Sequence, residues 1–498
     1  MGIRSLLAKP FAAYIVKDIK KWSSDPVETQ FSVFGNLLSN LKKTAFGKDK
    51  NANQIKDYQD FKKNIPIQDY EGFVSYIDRI KKGEKNVLWP GLPTYFAKTS
   101  GTTSGIKYIP LTKESVPYHI NSARNAVLCY VNETGNANFL DKNLMFISGS
   151  PELDLKGVVP YGRLSGIVNH HVPAYLRSNQ LPSYETNCME DWEAKLDKII
   201  EETLGKPMSL ISGIPPWVQM YFDRIQVKTG KKIKDVFPMF ELFIYGGVNF
   251  EPYKTKLFES IGKTIPSIET YPASEGFIAY QDSQKEEGLL LLLKNGIFYE
   301  FIPTEEYYNE NPTRLHIGEV QLGKNYALIL NTNAGLWGYS IGDTVKFVSK
   351  NPYRIVVTGR IKHFISAFGE HVIGEEVEKA MQFAMSIFPE SQLAEFTVAP
   401  QVSPKEGLPY HEWLVEFSKM PNSIEAFEKI LDQRMTQLNV YYDDLIKGSI
   451  LRPLKLTVLR NSAFIDYMKS IGKLGGQNKV PRLSNDRKVA EQLEKYSI

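Results

Sequence analysis

The chain has 498 residues, 42% of them hydrophobic and 23% charged, with a formal net charge of +4; this is the profile of a globular protein of at least two domains, and it excludes a disordered or membrane-spanning chain. Lysines and arginines are interleaved with acids instead of forming one basic block, so nucleic acid is not an expected partner. Cys129 and Cys188 lie far apart without metal-ligand spacing, which points to a reducing compartment and away from a disulfide framework. Residues 1–10 lack the apolar run of a signal peptide, and the longest aliphatic run, 289–293, is too short to cross a bilayer; a cytoplasmic protein with no membrane association is expected.

In chain order, Leu6, Leu7, Phe11, Ile15, Ile19 and Trp22, then Phe31, Phe34, Leu37, Leu38 and Leu41, recur at helical spacing. They predict two helices over 5–47, broken at Ser23-Ser24-Asp25-Pro26. Short apolar runs at 143–149, 208–212 and 240–245 alternate with helical stretches such as 190–204, as in an α/β layer, and place a layered core over about 90–280. Segments 289–293 and 297–302 flank Lys294-Asn295-Gly296 and predict a hairpin, followed by strands at 319–322, 326–331 and 344–347. Beyond Gly359-Arg360, helices at 373–387 and 423–437 and strands at 394–399, 411–418 and 454–459 predict a compact α+β unit. The expected fold class is α/β. A large N-terminal domain, 1–360, carries a β-rich subdomain at about 285–358, and a small C-terminal α+β domain, 361–498, follows a hinge near 360–362.

The chemistry is concentrated in three polar clusters. Gly101-Thr102-Thr103-Ser104-Gly105-Ile106-Lys107, preceded by Thr99 and Ser100, combines glycines that let the backbone approach an anion with hydroxyls that bond it. It is not a Walker A loop, which needs four residues between its glycines and a Lys-Ser/Thr pair directly after. Glu269-Thr270-Tyr271-Pro272-Ala273-Ser274-Glu275-Gly276 offers an aromatic face for a nucleobase, a hydroxyl for a phosphate and, in Glu275, a hard oxygen for Mg²⁺. Trp337-Gly338-Tyr339-Ser340-Ile341-Gly342-Asp343 sets a carboxylate just after a glycine turn, able to accept two ribose hydroxyls. Each cluster alone also reads as an ordinary surface turn.

In this order and at these separations, the three clusters resemble the phosphate-, nucleotide- and ribose-binding motifs of the ANL adenylating enzymes. Within that superfamily the chain is most similar to the auxin-responsive Gretchen Hagen family of acyl-acid amido synthetases. The likeness runs through Thr44-Ala45-Phe46-Gly47-Lys48, Tyr70-Glu71, 83–91, 99–110, Ile214-Pro215-Pro216-Trp217, Gly246-Gly247 and 475–482. Ser340 stands where plant members carry Arg, and the hinge is closer to the general superfamily pattern, so the chain resembles a bacterial-type member and hormone conjugation is not assumed.

The resemblance implies a ligase that uses ATP and Mg²⁺ to adenylate a small carboxylic acid and then passes the acyl group to an amino acid. The alternatives are an acyl-CoA synthetase of the same fold and a non-catalytic nucleotide sensor. It assigns Ser100, Gly101, Thr102, Thr103, Ser104 and Lys107 to the phosphate loop, Tyr271 to adenine, Ser274 to phosphate, Glu275 to the metal and Asp343 to ribose. Arg360 at the hinge would reach ribose or phosphate. Lys479 is the mobile cation bridging carboxylate and α-phosphate, and Lys479 and Lys107 are the catalytic pair. Arg124, Val168, Trp217, Gly247 and Val248 are the candidates for the acyl site, and a monomer or weak dimer is expected.

Overall fold

Short strands rich in β-branched and aromatic residues, separated by helix-forming stretches, build the framework that carries the site. The computed structural model describes residues 2–498 except 101–105, 173–176, 190, 248–249, 362–363, 366–369, 371, 449, 475–478 and 485. Strands β3 (Asn143–Phe146), β6 (Gln180–Leu181), β7 (Met208–Ser212), β8 (Leu242–Gly246), β9 (Ser267–Ala273), β10 (Gly276–Tyr280), β11 (Leu289–Leu291), β12 (Ile297–Pro303), β13 (Asn325–Thr332), β14 (Tyr339–Lys350) and β15 (Tyr353–Arg360) form one eleven-stranded sheet. Its order is β12-β13-β14-β15-β11-β10-β9-β8-β7-β3-β6. From β6 to β9 neighbouring strands are parallel, with helices Trp192–Thr203, Pro215–Thr229 and Glu251–Ile261 on the connections. Parallel strands end on a common edge, and that edge is where α/β sheets hold ligands. From β9 onward the described pairings are antiparallel.

A second, four-stranded sheet has the order β2-β1-β5-β4, from β1 (Tyr95–Ser100), β2 (Ile106–Leu111), β4 (Asp154–Lys156) and β5 (Val159–Gly162). β1 and β2 pair antiparallel from Tyr95↔Leu111 to Ser100↔Ile106, so the glycine-rich segment 101–105 joins the two strands of a hairpin.

The two N-terminal helices run over Ile3–Ser23 and Pro26–Leu41. The buried face of the first is Ala8, Ala12, Ile15, Ile19 and Trp22, packed on helix Val116–Thr134. Leu6 and Leu7, which the sequence places on that face, are 62% and 63% exposed. The face follows the 8-12-15-19-22 spacing, and small alanines there let the helices approach closely.

Two further expectations are corrected. The segments either side of Asn295-Gly296 do not pair with each other: β11 lies between β15 and β10, while β12 pairs with β13 along seven residue pairs. All three residues of β11 are buried, so it takes a central position with a neighbour on each side. Asn295, instead of closing a hairpin, donates its amide to Ser122 Oγ at 2.7 Å. Segment 319–322 is not a strand. A short 3₁₀ turn, Ile317–Glu319, is capped by the His316 ring, and Leu322 makes a single bridge to Phe347.

The chain divides into two compact units, 1–248 with 262–356, and 249–261 with 357–498. Residues 249–261, which the sequence reading kept in the N-terminal domain, therefore cluster with the C-terminal residues. In the second unit β18 (Gln392–Gln401), β19 (Tyr410–Lys419) and β20 (Lys455–Leu459) form a sheet in that order, and β16 (Phe364–Ile365) pairs with β17 (Val372–Ile373). Helices Gly374–Ile387 and Ile424–Leu438 contribute Val377, Met381, Phe427 and Leu431 to a core with Phe396 and Trp413, whose rings stack at 5.7 Å.

In the first unit a charge is buried under the antiparallel half of the large sheet. Glu300 of β12 is 0% exposed. It accepts from Arg314 Nε at 2.9 Å and Nη2 at 2.7 Å, Tyr58 Oη at 2.9 Å and Asn331 Nδ2 at 2.9 Å. Arg314 spends its remaining nitrogen on the carbonyls of Ile65 and Lys62 at 2.6 and 3.2 Å. Every charge is thus answered, and removing one partner strands the other. Arg314→Met is expected to cost about 3–5 kcal/mol of stability, read as a loss of unfolding free energy in urea titration of the full chain.

Candidate active site

The site is assembled around the turn between β9 and β10, where Ala273 pairs with Gly276 and only Ser274 and Glu275 connect the strands. β9 is drawn close to β8: Thr270 Oγ1 donates to the Tyr245 carbonyl at 2.9 Å, and a Cβ on Gly246 would come within 2.5 Å of the Thr270 carbonyl. The next residue, Gly247, has φ +80°, a backbone angle that favours glycine.

The third cluster reaches the same turn through an irregularity in β14. Ala327 pairs with Thr344 and Ile329 with Ser340, so Leu328 alone opposes Ile341, Gly342 and Asp343. Gly342, at φ +84°, takes the conformation that this bulge requires. Asp343 is 7% exposed and accepts from Tyr271 Oη at 2.5 Å. Tyr271 is itself 8% exposed, so its evident contact is to orient the Asp343 carboxylate.

Glu275, half-buried in the turn, accepts from Tyr339 Oη at 3.0 Å. Burial pushes its carboxyl above the usual range; the Tyr339 bond and the Lys107 charge oppose that shift, and Asp343 adds to it. Lys107, Glu275 and Asp343 therefore share one electrostatic neighbourhood. The Lys107 ammonium stands 5.6 Å from the centre of the Tyr70 ring, and Tyr70 Oη accepts from the Tyr108 backbone at 2.9 Å. Tyr339 is held by Gln68, whose N–H donates to the Gly338 carbonyl at 2.9 Å and whose carbonyl accepts from Ser340 N–H at 2.9 Å. Ser340 is bonded to Tyr307 Oη at 2.7 Å.

The structure thus brings Lys107, Tyr271, Glu275 and Asp343 together, with Ser274 half-buried beside Glu275. Ser100 is the last residue of β1. Gly101, Thr102, Thr103, Ser104 and Val248 lie outside the described residues. Of the acyl-site candidates, Arg124 donates to Asn125 Oδ1 and stands over the Phe11 ring at 5.1 Å, in the seam between helices Ile3–Ser23 and Val116–Thr134. Trp217 is buried edge-on against Trp192 at 4.4 Å, and Val168 packs on the core beneath the four-stranded sheet.

In the second unit Arg360 ends β15 and Lys479 is exposed. Lys479 precedes a firmly held segment. The Pro481 carbonyl accepts from Thr397 Oγ1 at 2.7 Å, the Arg482 carbonyl accepts from Val398 N–H at 3.0 Å, and Ser484 N–H donates to the Val398 carbonyl at 2.9 Å. The Arg482 guanidinium donates to Glu395 at 2.7 Å and to Tyr253 Oη at 3.0 Å, and lies over the Phe396 ring at 4.1 Å. Sequence reasoning gave no role to Tyr70, Gln68, Tyr339 or Arg482. All lie in or beside segments quoted for the resemblance, and their roles depend on partners distant in sequence.

Three family models match along the chain: the GH3 family N-terminal domain over 15–180, its central domain over 290–360 and its C-terminal domain over 375–488. The chain belongs to the GH3 family. An indole-3-acetic acid-amido synthetase of Arabidopsis thaliana, GH3.4, is 22% identical, with 94% of this chain and 91% of that protein covered. A jasmonoyl-L-amino acid synthetase of Nicotiana attenuata, JAR4, is also 22% identical, with 94% and 93% covered. Among solved structures, the GH3.15 acyl acid amido synthetase in complex with 2,4-DB matches with a TM-score of 0.80 at 16% identity, covering 98% and 96%. A 2-hydroxyisobutyryl-CoA ligase in the postadenylation state matches at 0.59 and 13%, covering 94% and 92%. The GH3 fold is therefore shared with adenylate-forming ligases.

The raised Glu275 carboxyl has a measurable consequence for this GH3 protein. A carboxyl whose folded value lies above its unfolded one contributes stability at low pH, and that contribution is lost as pH rises through the folded value. Without ligands, Glu275→Gln is expected to unfold about 1–2 °C higher than the parent at pH 7.5. The gain should vanish toward pH 4, as followed by differential scanning calorimetry across pH.

Proposed function

We propose that this GH3 protein is an ATP-dependent acyl-acid amido synthetase that activates a small carboxylic acid as its acyl-adenylate and transfers the acyl group to an amino acid. The observation that carries the reading is the meeting of Lys107, Tyr271, Glu275 and Asp343 at the edge where the parallel strands end. In the first step a carboxylate oxygen of the acid bonds to the α-phosphorus of ATP and pyrophosphate leaves. In the second, the amine attacks the acyl carbon and AMP leaves, with the amine proton passing to solvent. Activation resides in the mixed anhydride, so no side-chain nucleophile is needed and the protein positions reactants and stabilises charge.

Asp343, fixed by Tyr271, accepts the ribose hydroxyls, Lys107 and the 100–104 segment hold phosphate oxygens, and Ser274 adds a hydroxyl beside them. Glu275 would hold Mg²⁺, whose charge neutralises phosphate oxygens when bound. A single carboxylate suits this ion, which keeps most of its coordination for water and phosphate, and among the described residues no group of three metal-ligating side chains is present. Lys479 supplies the cation for adenylation from a segment anchored at Arg482, and Arg360 contacts ribose or phosphate. Arg124, Val168, Trp217, Gly247 and Val248 remain the candidates for the acyl pocket. Both cysteines are free, and burial pushes the Cys129 thiol up to about 12, which suits a reducing cytoplasm.

A panel of carboxylic acids screened for acid-dependent ATP–pyrophosphate exchange tests the reading, and absence of exchange with every acid defeats it. Lys479→Ala is expected to slow exchange about a hundredfold while still forming amide from supplied acyl-adenylate. Offering an amino acid or CoA to trapped acyl-adenylate, with products identified by mass, separates an amide from a thioester outcome.

A further inference from the structure

The adenylation cluster leaves unexplained a second concentration of positive charge on the same edge of the large sheet. Lys195, on helix Trp192–Thr203, is 3% exposed, and its ammonium donates to the carbonyls of Ser148 at 3.1 Å and Asn187 at 2.7 Å. Arg163, directly after β5, is half-buried and lies across Gly149, where a Cβ would come within 2.6 Å of Arg163 Cδ. Ser148 and Gly149 are consecutive residues just beyond the C-terminal end of β3, so both cations reach one turn.

Among the described residues, Lys195 bonds only backbone carbonyls and Arg163 forms no ion pair. Burial brings Lys195 down to about 8, with Arg163 pushing in the same direction, and Arg163 is itself lowered by burial. The nearby Cys188 thiol is pushed up by burial and stays neutral, so it offers no counter-charge. Asn187 is 1% exposed, and among the described residues neither its amide oxygen nor its amide nitrogen has a partner. The bonds of Lys195 cap one carbonyl of helix Tyr184–Cys188 and one of the turn after β3, which accounts for neither Arg163 nor the Asn187 amide. Enclosed charge and enclosed polar groups without compensation are costly. An anion at this turn would neutralise both cations.

We propose that Lys195, Arg163 and the Asn187 amide form a second anion-binding site, for a carboxylate or phosphate group of a substrate. β7 and β8 separate β3 from β9, which places this site roughly 14 Å from the Tyr271 strand by three strand spacings. It is therefore not the seat of the carboxylate that becomes activated. Two sources fit the location, and naming them rests on the ligase reading. One is an anionic group at the far end of an extended acyl substrate. The other is the terminal phosphates of ATP, because β5 pairs with β1 at Ala97↔Gly162 and Arg163 stands beside the strand that leads to Ser100.

Isothermal titration of the full chain with inorganic pyrophosphate, sebacate and decanoate tests the site directly. One of the two dianions is expected to bind the parent protein, and Arg163→Gln and Lys195→Gln should each weaken it about tenfold or more. Loss of sebacate binding with decanoate weak throughout assigns the site to the acyl substrate, and loss of pyrophosphate binding assigns it to ATP. Should Lys195→Gln fail to fold, Arg163→Gln decides, since its side chain is only half-buried. Binding of both dianions unchanged in Arg163→Gln, or no binding of either to the parent, overturns the proposal. Pyrophosphate exchange is measured separately, so loss of the ligase reading and loss of this site are distinguishable.

Discussion

The geometry of the cluster around Tyr271, Glu275, Tyr339 and Asp343 depends on a salt bridge outside it. Glu300 has four donors, so its carboxylate is saturated, and two of the groups that satisfy the pair continue outward to the third motif. Asn331, which donates to Glu300, accepts from Gly338 N–H through its amide oxygen at 2.7 Å. Arg314 grips the Ile65 carbonyl, three residues before Gln68, and Gln68 pairs with Gly338 and Ser340 on the other side. The stretch that presents Tyr339 is therefore fixed from two directions by one buried charge pair. Gly338, at φ +56°, is the residue that tolerates both contacts, because a Cβ there would strike the Pro66 carbonyl. A buried ion pair adds little net stability over a well-packed apolar substitute. Its value here lies in direction, since an apolar residue at 300 would not orient the Asn331 amide.

The same division recurs at the reacting end. Glu275 is kept in a place that raises its carboxyl, with Tyr339 and Lys107 only partly offsetting the burial. Lys195 and Arg163 are kept unneutralised three strands away. Under the proposed reaction, charges left short of partners in the free protein would become favourable when a nucleotide and an acid bring the complementary ones, so the interaction energy would appear on binding and in the transition state instead of in the resting fold. The stability for this comes from elsewhere: from the all-buried strand β12, from β13, buried from Tyr326 to Thr332, and from the aromatic cluster of Phe34, Tyr58, Phe61 and Phe298 beneath them.

What the sequence made legible follows the range of the interactions involved. Helix boundaries near 23–26 and the three polar clusters are local signals: the first helix ends at Ser23, the second starts at Pro26, and Lys107, Tyr271, Glu275 and Asp343 come together. The Asn295-Gly296 turn is equally local, yet its flanking strands join different neighbours, because burial of β11 on both sides and the long ladder of β12 with β13 outweigh a two-residue preference. Leu6 and Leu7 belong to the apolar spacing that predicts the first helix, yet they are exposed while Ala8 and Ala12 face inward, because spacing sets the helix and its packing partner sets the face. Arg314, Arg482 and Lys195 look like ordinary surface cations in the sequence. Their burial is set by side-chain partners 14 to 229 positions away or by backbone carbonyls, and composition does not encode which lysine will be enclosed.

Arg482 shows why such a partner matters for the proposed chemistry. A lysine that assists one step and must then withdraw needs a body that holds it rigidly, since a freely moving side chain would lose the positional advantage that makes a charge effective. The backbone at 481–484 is laced to β18, and the Arg482 guanidinium is enclosed by Glu395, Glu378, Tyr253 and the Phe396 ring. Lys479, three residues earlier, is exposed. The lysine thus sits on the surface close to a stiffly held stretch of backbone. Helix Glu251–Ile261 completes this mount through Tyr253, which donates to Glu395 at 2.9 Å. That explains physically why a helix inserted between β8 and β9 in the sequence clusters with the C-terminal unit: its aromatic closes the shell around the arginine on which the lysine segment is fixed.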